Sequence, residues 1–195
     1  MVTTTEDTRG RIIDAAERLM QLRGYNGFSY RDIAAEVGIR SPSIHHHFPT
    51  KADLGVAVAR RYTERFQERL RQAQADGADA RRTLEVLVSL FREVLAREGR
   101  MCLCGILGAE LPSLPDEVAA EARRFFEVNT DWLARLLRDA VRDGLVDLVA
   151  PPELEARLLF ATLEGAMIRA KTEDTIGSFD EVAAAALQRL RWREA

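Results

Sequence analysis

Apolar residues recur every three to four positions along almost the whole chain, and glycine or proline closes most of these runs. That spacing gathers side chains on one face of an α-helix. No stretch alternates with the period of two that a half-buried strand needs. The expectation is an all-α protein of about nine helices, with 195 residues and 47% hydrophobic content to build its core. A change of character near residue 50 separates short helices from long ones and predicts two domains, 1–50 and 51–195.

The first helix is expected from about Thr8 to Arg23, with Ile12, Ala16 and Leu19 inward and Gly24 as its stop. Ser29 suits the N-cap of a second, about Tyr30 to Val37. After Gly38 and Ile39, Ser41 is read as the cap of a short third helix opening on Pro42. Pro49-Thr50 breaks the chain, and a long helix starts near Lys51. Further helices are predicted over Asp79 to Arg97, Cys102 to Leu111, Asp116 to Asp143, Pro152 to Lys171 and Phe179 to Trp192. The stripe of the Asp116 helix is read as Val118, Ala122, Phe125, Asn129, Trp132, Leu136 and Ala140.

Two short helices joined by a tight glycine turn form a helix-turn-helix, here with Ile33, Val37, Ile39, Ile44 and Phe48 as its seam. The third helix is short enough to enter a DNA major groove. Its free positions are Arg40, Ser41, Ser43, His45 and His46, all hydrogen-bonding. Lys51 is expected on a phosphate, and Tyr30 and Arg31 are either phosphate ligands or solvated surface. Three consecutive histidines point about 100° apart on a helix and cannot converge on one metal ion. The first 60 residues hold eight Lys/Arg against seven Asp/Glu, while the chain as a whole carries −3. This asymmetry permits DNA binding by the N-terminal part without requiring it.

The stretch from Phe28 to Leu54, with Phe48-Pro-Thr-Lys51 at its end, closely resembles the DNA-binding signature of TetR/AcrR-family regulators. His45 stands where the family usually has Tyr, and Pro42 where it often has Gly. The resemblance implies a transcriptional repressor that binds palindromic double-stranded operator DNA. It implies a homodimer through the last two helices and release by a small-molecule inducer of unknown identity. An activator of the same fold is the alternative. In the last two helices, Leu159, Leu163, Gly165, Ala166 and Ala170, with Ala183, Ala186, Leu187 and Leu190, are read either as the dimer faces or as packing within one chain.

Among sensor candidates, Phe91, Phe125, Phe126 and Trp132 are pocket lining or plain core, and Asn129 interrupts an apolar stripe and needs a hydrogen-bonding partner. The run Met101-Cys-Leu-Cys-Gly with its following Leu-Pro-Ser-Leu-Pro resembles the NemR-like, electrophile-sensing branch of the family. That resemblance implies Cys102 as reactive thiol and Lys171, in Gly165-Ala-Met-Ile-Arg-Ala-Lys, as its partner. A thiol near a helix start, with Arg100 at hand, is chemically suited to this. Buried cysteines are also common space-fillers, and Cys102 and Cys104 can equally be structural or touch a ligand. Two cysteines make no disulfide framework, and i, i+2 side chains on a helix diverge too far to bridge. The chain has no apolar run of membrane-spanning length and no signal-peptide core at Met1–Gly10, so a cytoplasmic protein is expected. Phosphate-loop, metal-spacing and nucleophile–base signatures are missing, so no enzyme and no cofactor are expected.

Overall fold

The computed structural model describes residues 5–193, and nine α-helices carry most of them. They are α1 (Thr5–Arg23), α2 (Tyr30–Val37), α3 (Ser41–His47), α4 (Lys51–Ala75), α5 (Ala80–Ala96), α6 (Leu103–Ala109), α7 (Asp116–Arg142), α8 (Pro152–Thr172) and α9 (Ile176–Gln188). A single 3-10 turn, Leu111–Ser113, follows α6. The fold is all-α as the periodicity requires.

The ends differ from expectation in instructive places. The last helix runs from Ile176 and stops at Gln188, short of Trp192. Beyond it, β2 (Arg191–Trp192) pairs antiparallel with β1 (Val146–Asp147), too short a pairing to leave an alternating pattern. The Arg193 guanidinium holds the Asp147 carboxylate at 2.7 Å beside that pair. On α7 the buried positions after Asn129 are Leu133, Ala134, Leu137 and Ala140. Trp132 and Leu136 are only half-buried. A stripe advancing by 3.6 residues passes through Leu133 rather than through its bulkier neighbour Trp132.

Packing divides the chain into two units. One comprises the residues up to Glu64 together with Leu103–Phe125. Its core contains Ile12, Leu19 and Met20 of α1, Ile33 and Ile44 of the short helices, Leu54 and Val58 of α4, and Leu107 and Val118. The Tyr62 and Phe125 rings meet at 5.6 Å. The start of α7 and all of α6 therefore pack with the N-terminal helices. This division is discontinuous in sequence, unlike a cut at residue 50.

In the second unit, formed by Arg65–Cys102 and the chain from Phe126 onward, Phe91 stands edge-on to Phe66 at 5.8 Å and to Phe160 at 6.0 Å. Helices α8 and α9 pack against each other and against α5. Arg92 of α5 clamps Asp180 of α9 at 2.7 Å. Glu155, buried at the start of α8, accepts from Arg189 at 2.8 Å and from the Ala150 N–H at 3.0 Å.

The apolar residues of α8 and α9, read either as dimer faces or as packing within one chain, lie mostly inside the chain. Leu159, Leu163, Ala166, Ala170, Ala183 and Leu190 are buried within the chain. Ala186 and Leu187 are half-buried. Of the residues with those two readings, Gly165 is exposed. The outward apolar stripe is instead Leu154, Leu158, Ala161, Gly165 and Ile168. Since α8 is apolar on two sides, periodicity finds the helix but not which side α9 covers.

Candidate nucleic-acid interface

Three local devices set the helix-turn-helix. The Asp32 carboxylate accepts from the Ser29 backbone N–H at 2.7 Å and from its hydroxyl at 2.6 Å, fixing where α2 starts. Gly38 adopts φ 75°, and its N–H and that of Ile39 both return to the Ala34 carbonyl. That left-handed residue makes the sharp turn between α2 and α3. At the other side, Thr50 and Asp53 cap α4 reciprocally: Asp53 accepts from the Thr50 N–H, and Thr50 Oγ1 accepts from the Asp53 N–H, both at 3.0 Å.

Helix α3 begins at Ser41 itself. The cap position is Arg40, in extended backbone and without a side-chain cap, so Ser41 is not the cap that was expected. Pro42 sits in the first turn, where its missing N–H costs nothing. Ile44 and Phe48 are buried and anchor the helix. Arg40, Ser43, His45 and His46 are exposed and Ser41 is half-exposed, giving α3 a free hydrogen-bonding face. The His45 ring lies 4.7 Å from that of Tyr30, and its Nδ1 lies 3.3 Å from the Pro49 carbonyl. The tautomer that donates there leaves Nε2 as an acceptor. His47 is half-buried, its ring edge-on to His46.

Two of the expected phosphate ligands are tied inward. Tyr30 Oη reaches the carbonyls of Phe48 at 2.9 Å and Thr50 at 2.6 Å, joining the start of α2 to the α3–α4 turn. Burial, with Asp53 and Tyr25 nearby, pushes this phenol up to about 12, so it stays a neutral donor. The Lys51 ammonium lies 4.2 Å from the Phe28 ring centre and 5.0 Å from that of Tyr25, and it donates to the Phe28 carbonyl. Burial lowers its pKa against the pull of Asp32 and Glu110. At most two of its N–H groups remain for a phosphate. Arg31 is exposed.

Residues 12–58 match the family model "Bacterial regulatory proteins, tetR family". The transcriptional regulator AcuR of Cereibacter sphaeroides is 32% identical over 163 residues, 80% of this chain and 74% of that protein. The HTH-type transcriptional repressor KstR2 of Rhodococcus jostii is 33% identical over 165 residues, 79% of this chain and 78% of that protein. A TetR-family transcriptional regulator from Agrobacterium tumefaciens superposes with a TM-score of 0.92 at 30% identity, covering 96% of this chain and all of that one. The chain belongs to the TetR family. It is a transcriptional regulator and not an enzyme. The reduced form of Escherichia coli NemR shares the fold, with a TM-score of 0.81, but at 20% identity the likeness extends to fold alone. Among the described residues, no helix is long and apolar enough to cross a membrane.

In this TetR-family chain the sensor candidates are scattered. Cys102 and Cys104 are both buried, as thiols rather than as a disulfide. Cys102 precedes the first residue of α6, and its thiol donates to the Glu164 carboxyl. Arg100, expected beside the thiol, is instead paired with Glu98 at 2.7 Å. Lys171 is exposed and donates to the Gly99 carbonyl at 2.9 Å. Phe91 and Phe125 are core residues of their respective units, and Asn129 is fully buried. Phe126 and Trp132 are half-buried.

Sequence reasoning missed three residues that matter. The Arg11 guanidinium donates to the Val37 carbonyl and ties the end of α2 to α1. Glu110, just past α6, accepts from the Tyr25 N–H at 2.7 Å in the α1–α2 turn, with Asn26 and Ser113 joined beside it at 3.1 Å. Glu164 on α8 has a buried Oε1 without a hydrogen-bond partner. No local pattern marks any of these, because each partner lies far away in sequence.

Proposed function

We propose that this regulator is a repressor that binds a pseudo-palindromic operator as a homodimer and leaves it when a small molecule acts on residues 51–195. Residues 1–50 read the DNA in this scheme. The observation that carries it is the exposed face of α3 and its cap, where Arg40, Ser43, His45 and His46 are exposed on a helix anchored by Ile44 and Phe48. Arg40 suits guanine or phosphate, and the serine hydroxyls suit phosphate oxygens. Lys51 and Tyr30 chiefly hold the motif together, and Arg31 is left to the backbone phosphates.

The dimer is assigned to α8 and α9 through the outward stripe Leu154, Leu158, Ala161, Gly165 and Ile168, where Ile168 is 58% exposed. A Cβ built on Gly165 would meet nothing within 4 Å, so no intrachain neighbour accounts for a helix-weakening glycine there. Close approach of a second copy does account for it. A groove of about 290 Å³ beside the stripe, lined by Leu158, Thr162, Ala185 and Ala186, adds area to the same face.

The inducer we assign is a reactive electrophile and its target Cys102, in the manner of the NemR-like branch, with Lys171 near the same segment. Support comes from position: α6 starts one residue after Cys102, and one residue past its end Glu110 grips the α1–α2 turn. A displaced start of α6 is thereby felt at the helix-turn-helix. The test uses DNA from the regulator's own promoter. Salt-dependent, sequence-specific binding that Arg40→Ala weakens and an electrophile abolishes is expected, along with reporter output that rises on induction. Reporter output that falls on loss of the regulator makes it an activator and overturns the repressor reading.

A further inference from the structure

Adenine and cytosine each offer an amino group in the major groove, and the side chains that ordinarily accept from it are amides and carboxylates. Helix α3, Ser41-Pro-Ser-Ile-His-His-His, has neither. Arg40 at its cap can only donate, and the hydroxyls of Ser41 and Ser43 turn to either role. That leaves the two exposed imidazoles, His45 and His46. A neutral imidazole donates at one nitrogen and accepts at the other, and the partner of the first nitrogen fixes the choice. His46 has the His47 ring edge-on at 5.6 Å, a contact that selects neither tautomer. His45 is different. Its Nδ1 lies 3.3 Å from the Pro49 carbonyl, an oxygen that can only accept, so the proton sits on Nδ1. The same ring lies 4.7 Å from that of Tyr30, whose Oη is tied to the carbonyls of Phe48 and Thr50. His45 is thus braced from two directions before DNA is met, and less side-chain freedom is lost on binding.

We propose that His45 is a specificity-determining residue whose Nε2 accepts a hydrogen bond from the exocyclic amino group of an adenine or a cytosine, once in each half-site of the operator. The proposal rests on the reading of α3 as the helix that meets DNA, and it adds the base chemistry that one side chain selects. With the proton on Nδ1, the lone pair of Nε2 points away from Pro49. A phosphate oxygen has no proton to give and would set one lone pair against another. Thymine O4 and guanine O6 and N7 are acceptors as well and meet the same objection. Adenine N6 and cytosine N4 are the major-groove atoms that can donate. Docking strips water from Nε2, so a base without an amino group leaves the acceptor unsatisfied. That unmade bond is the source of the discrimination. His45 therefore complements Arg40, which can only donate and suits guanine or phosphate.

The test selects binding sites from a random-sequence duplex library with the full chain, as wild type, His45→Ala, His45→Gln and Arg40→Ala. Wild type should enrich a pseudo-palindrome with adenine or cytosine at one position of each half-site. His45→Ala should cease to distinguish bases there and keep its preferences elsewhere. His45→Gln, whose amide oxygen accepts, should retain part of the preference. Wild type is then titrated on the enriched duplex with the amino group removed at that position, by 2-aminopurine for adenine or 2-pyrimidinone for cytosine. One replacement should weaken binding about tenfold and replacement in both half-sites about a hundredfold, while His45→Ala is indifferent to either. The salt slope should be the same for wild type and His45→Ala, since no phosphate contact is lost. If wild type enriches no sequence, the reading of α3 fails and this proposal with it. If Arg40→Ala loses affinity while His45→Ala keeps every preference, only the role of His45 fails. Guanine or thymine at the position His45→Ala ceases to distinguish would mean that the ring donates, which overturns the proposal. So would intact preferences with a salt slope smaller by about one unit per protomer, the mark of a phosphate contact. Should His45→Ala not fold, unchanged wild-type affinity after replacement of each adenine and cytosine of the half-site refutes the assignment by itself.

Discussion

Gly24 and Glu110 allow a quantitative test of how α6 holds the α1–α2 turn. Gly24 sits at φ 78°, and a Cβ there would overlap the Glu110 carboxylate. Gly24→Ala therefore carries two costs. Holding alanine in the left-handed region costs about 1–2 kcal/mol. Displacing Glu110 from the Tyr25 N–H forfeits a charge-assisted hydrogen bond of roughly 1.5–3 kcal/mol. The single variant should thus lose about 3–4 kcal/mol. In a Glu110→Ala background the carboxylate is already gone, and Gly24→Ala should cost only the backbone share, about 1–2 kcal/mol. The double-mutant cycle is then expected to show a coupling of about 2 kcal/mol. Denaturant unfolding at one fixed protomer concentration measures it. The same variants, titrated with operator DNA, should show lower affinity for Glu110→Ala at unchanged Arg40. Equal cost of Gly24→Ala in both backgrounds would refute the clasp and leave only backbone strain.

Glu164 also predicts a pH signature. Its folded pKa, raised from 4.5 to about 7, gives stability that is complete below 4.5 and is lost as pH rises through 7. Relative to Glu164→Gln, wild type should therefore fall by about 2–3 kcal/mol between pH 5 and pH 8, read from urea unfolding of both. A constant difference between the two proteins would mean that the carboxyl is solvated. Gly165→Leu should leave helix content intact yet weaken the dimer about tenfold or more in sedimentation equilibrium, since overpacking costs roughly 1–3 kcal/mol at each site; an unchanged dimer removes α8 from the interface. Arg40→Ala should lower operator affinity and, if Arg40 meets a phosphate, reduce the salt slope by about one unit. Lys51→Ala should lower the melting temperature through loss of its contacts with Phe28 and Tyr25, worth about 0.5–2 kcal/mol; an unaltered melting temperature would place that ammonium in solvent.

The helix-turn-helix is legible in the sequence because its determinants are local. Ser29 and Asp32, Gly38, and Thr50 and Asp53 each act within a few residues, so cap and turn chemistry can be read in order along the chain. What escaped were relations between distant residues. Glu110 and Tyr25 are 85 positions apart, Arg11 and Val37 are 26 apart, and no periodicity joins them. On α8 the pattern was present but doubled, with Leu159 and Leu163 on the covered side and Leu158 and Ile168 on the open one. Glu164 looked like any solvated carboxylate on a helix, since burial arises from neighbours that the chain brings in from elsewhere. The Lys51 ammonium was placed on a phosphate by its charge, whereas the rings of Phe28 and Tyr25 draw it inward.

The pairing of Leu103–Phe125 with the N-terminal helices bears on any attempt to build hybrid regulators. A chimera made by transplanting residues 1–50 onto another scaffold would deprive the turn at Tyr25 of Glu110 and leave Gly55 without the Val118 side chain that approaches it. A transferable cassette has to bring the second segment with it, or the recipient has to supply equivalents at those positions. Swapped parts that ignore this should bind their DNA less tightly, because the clasp that steadies the α1–α2 turn was left behind with the donor.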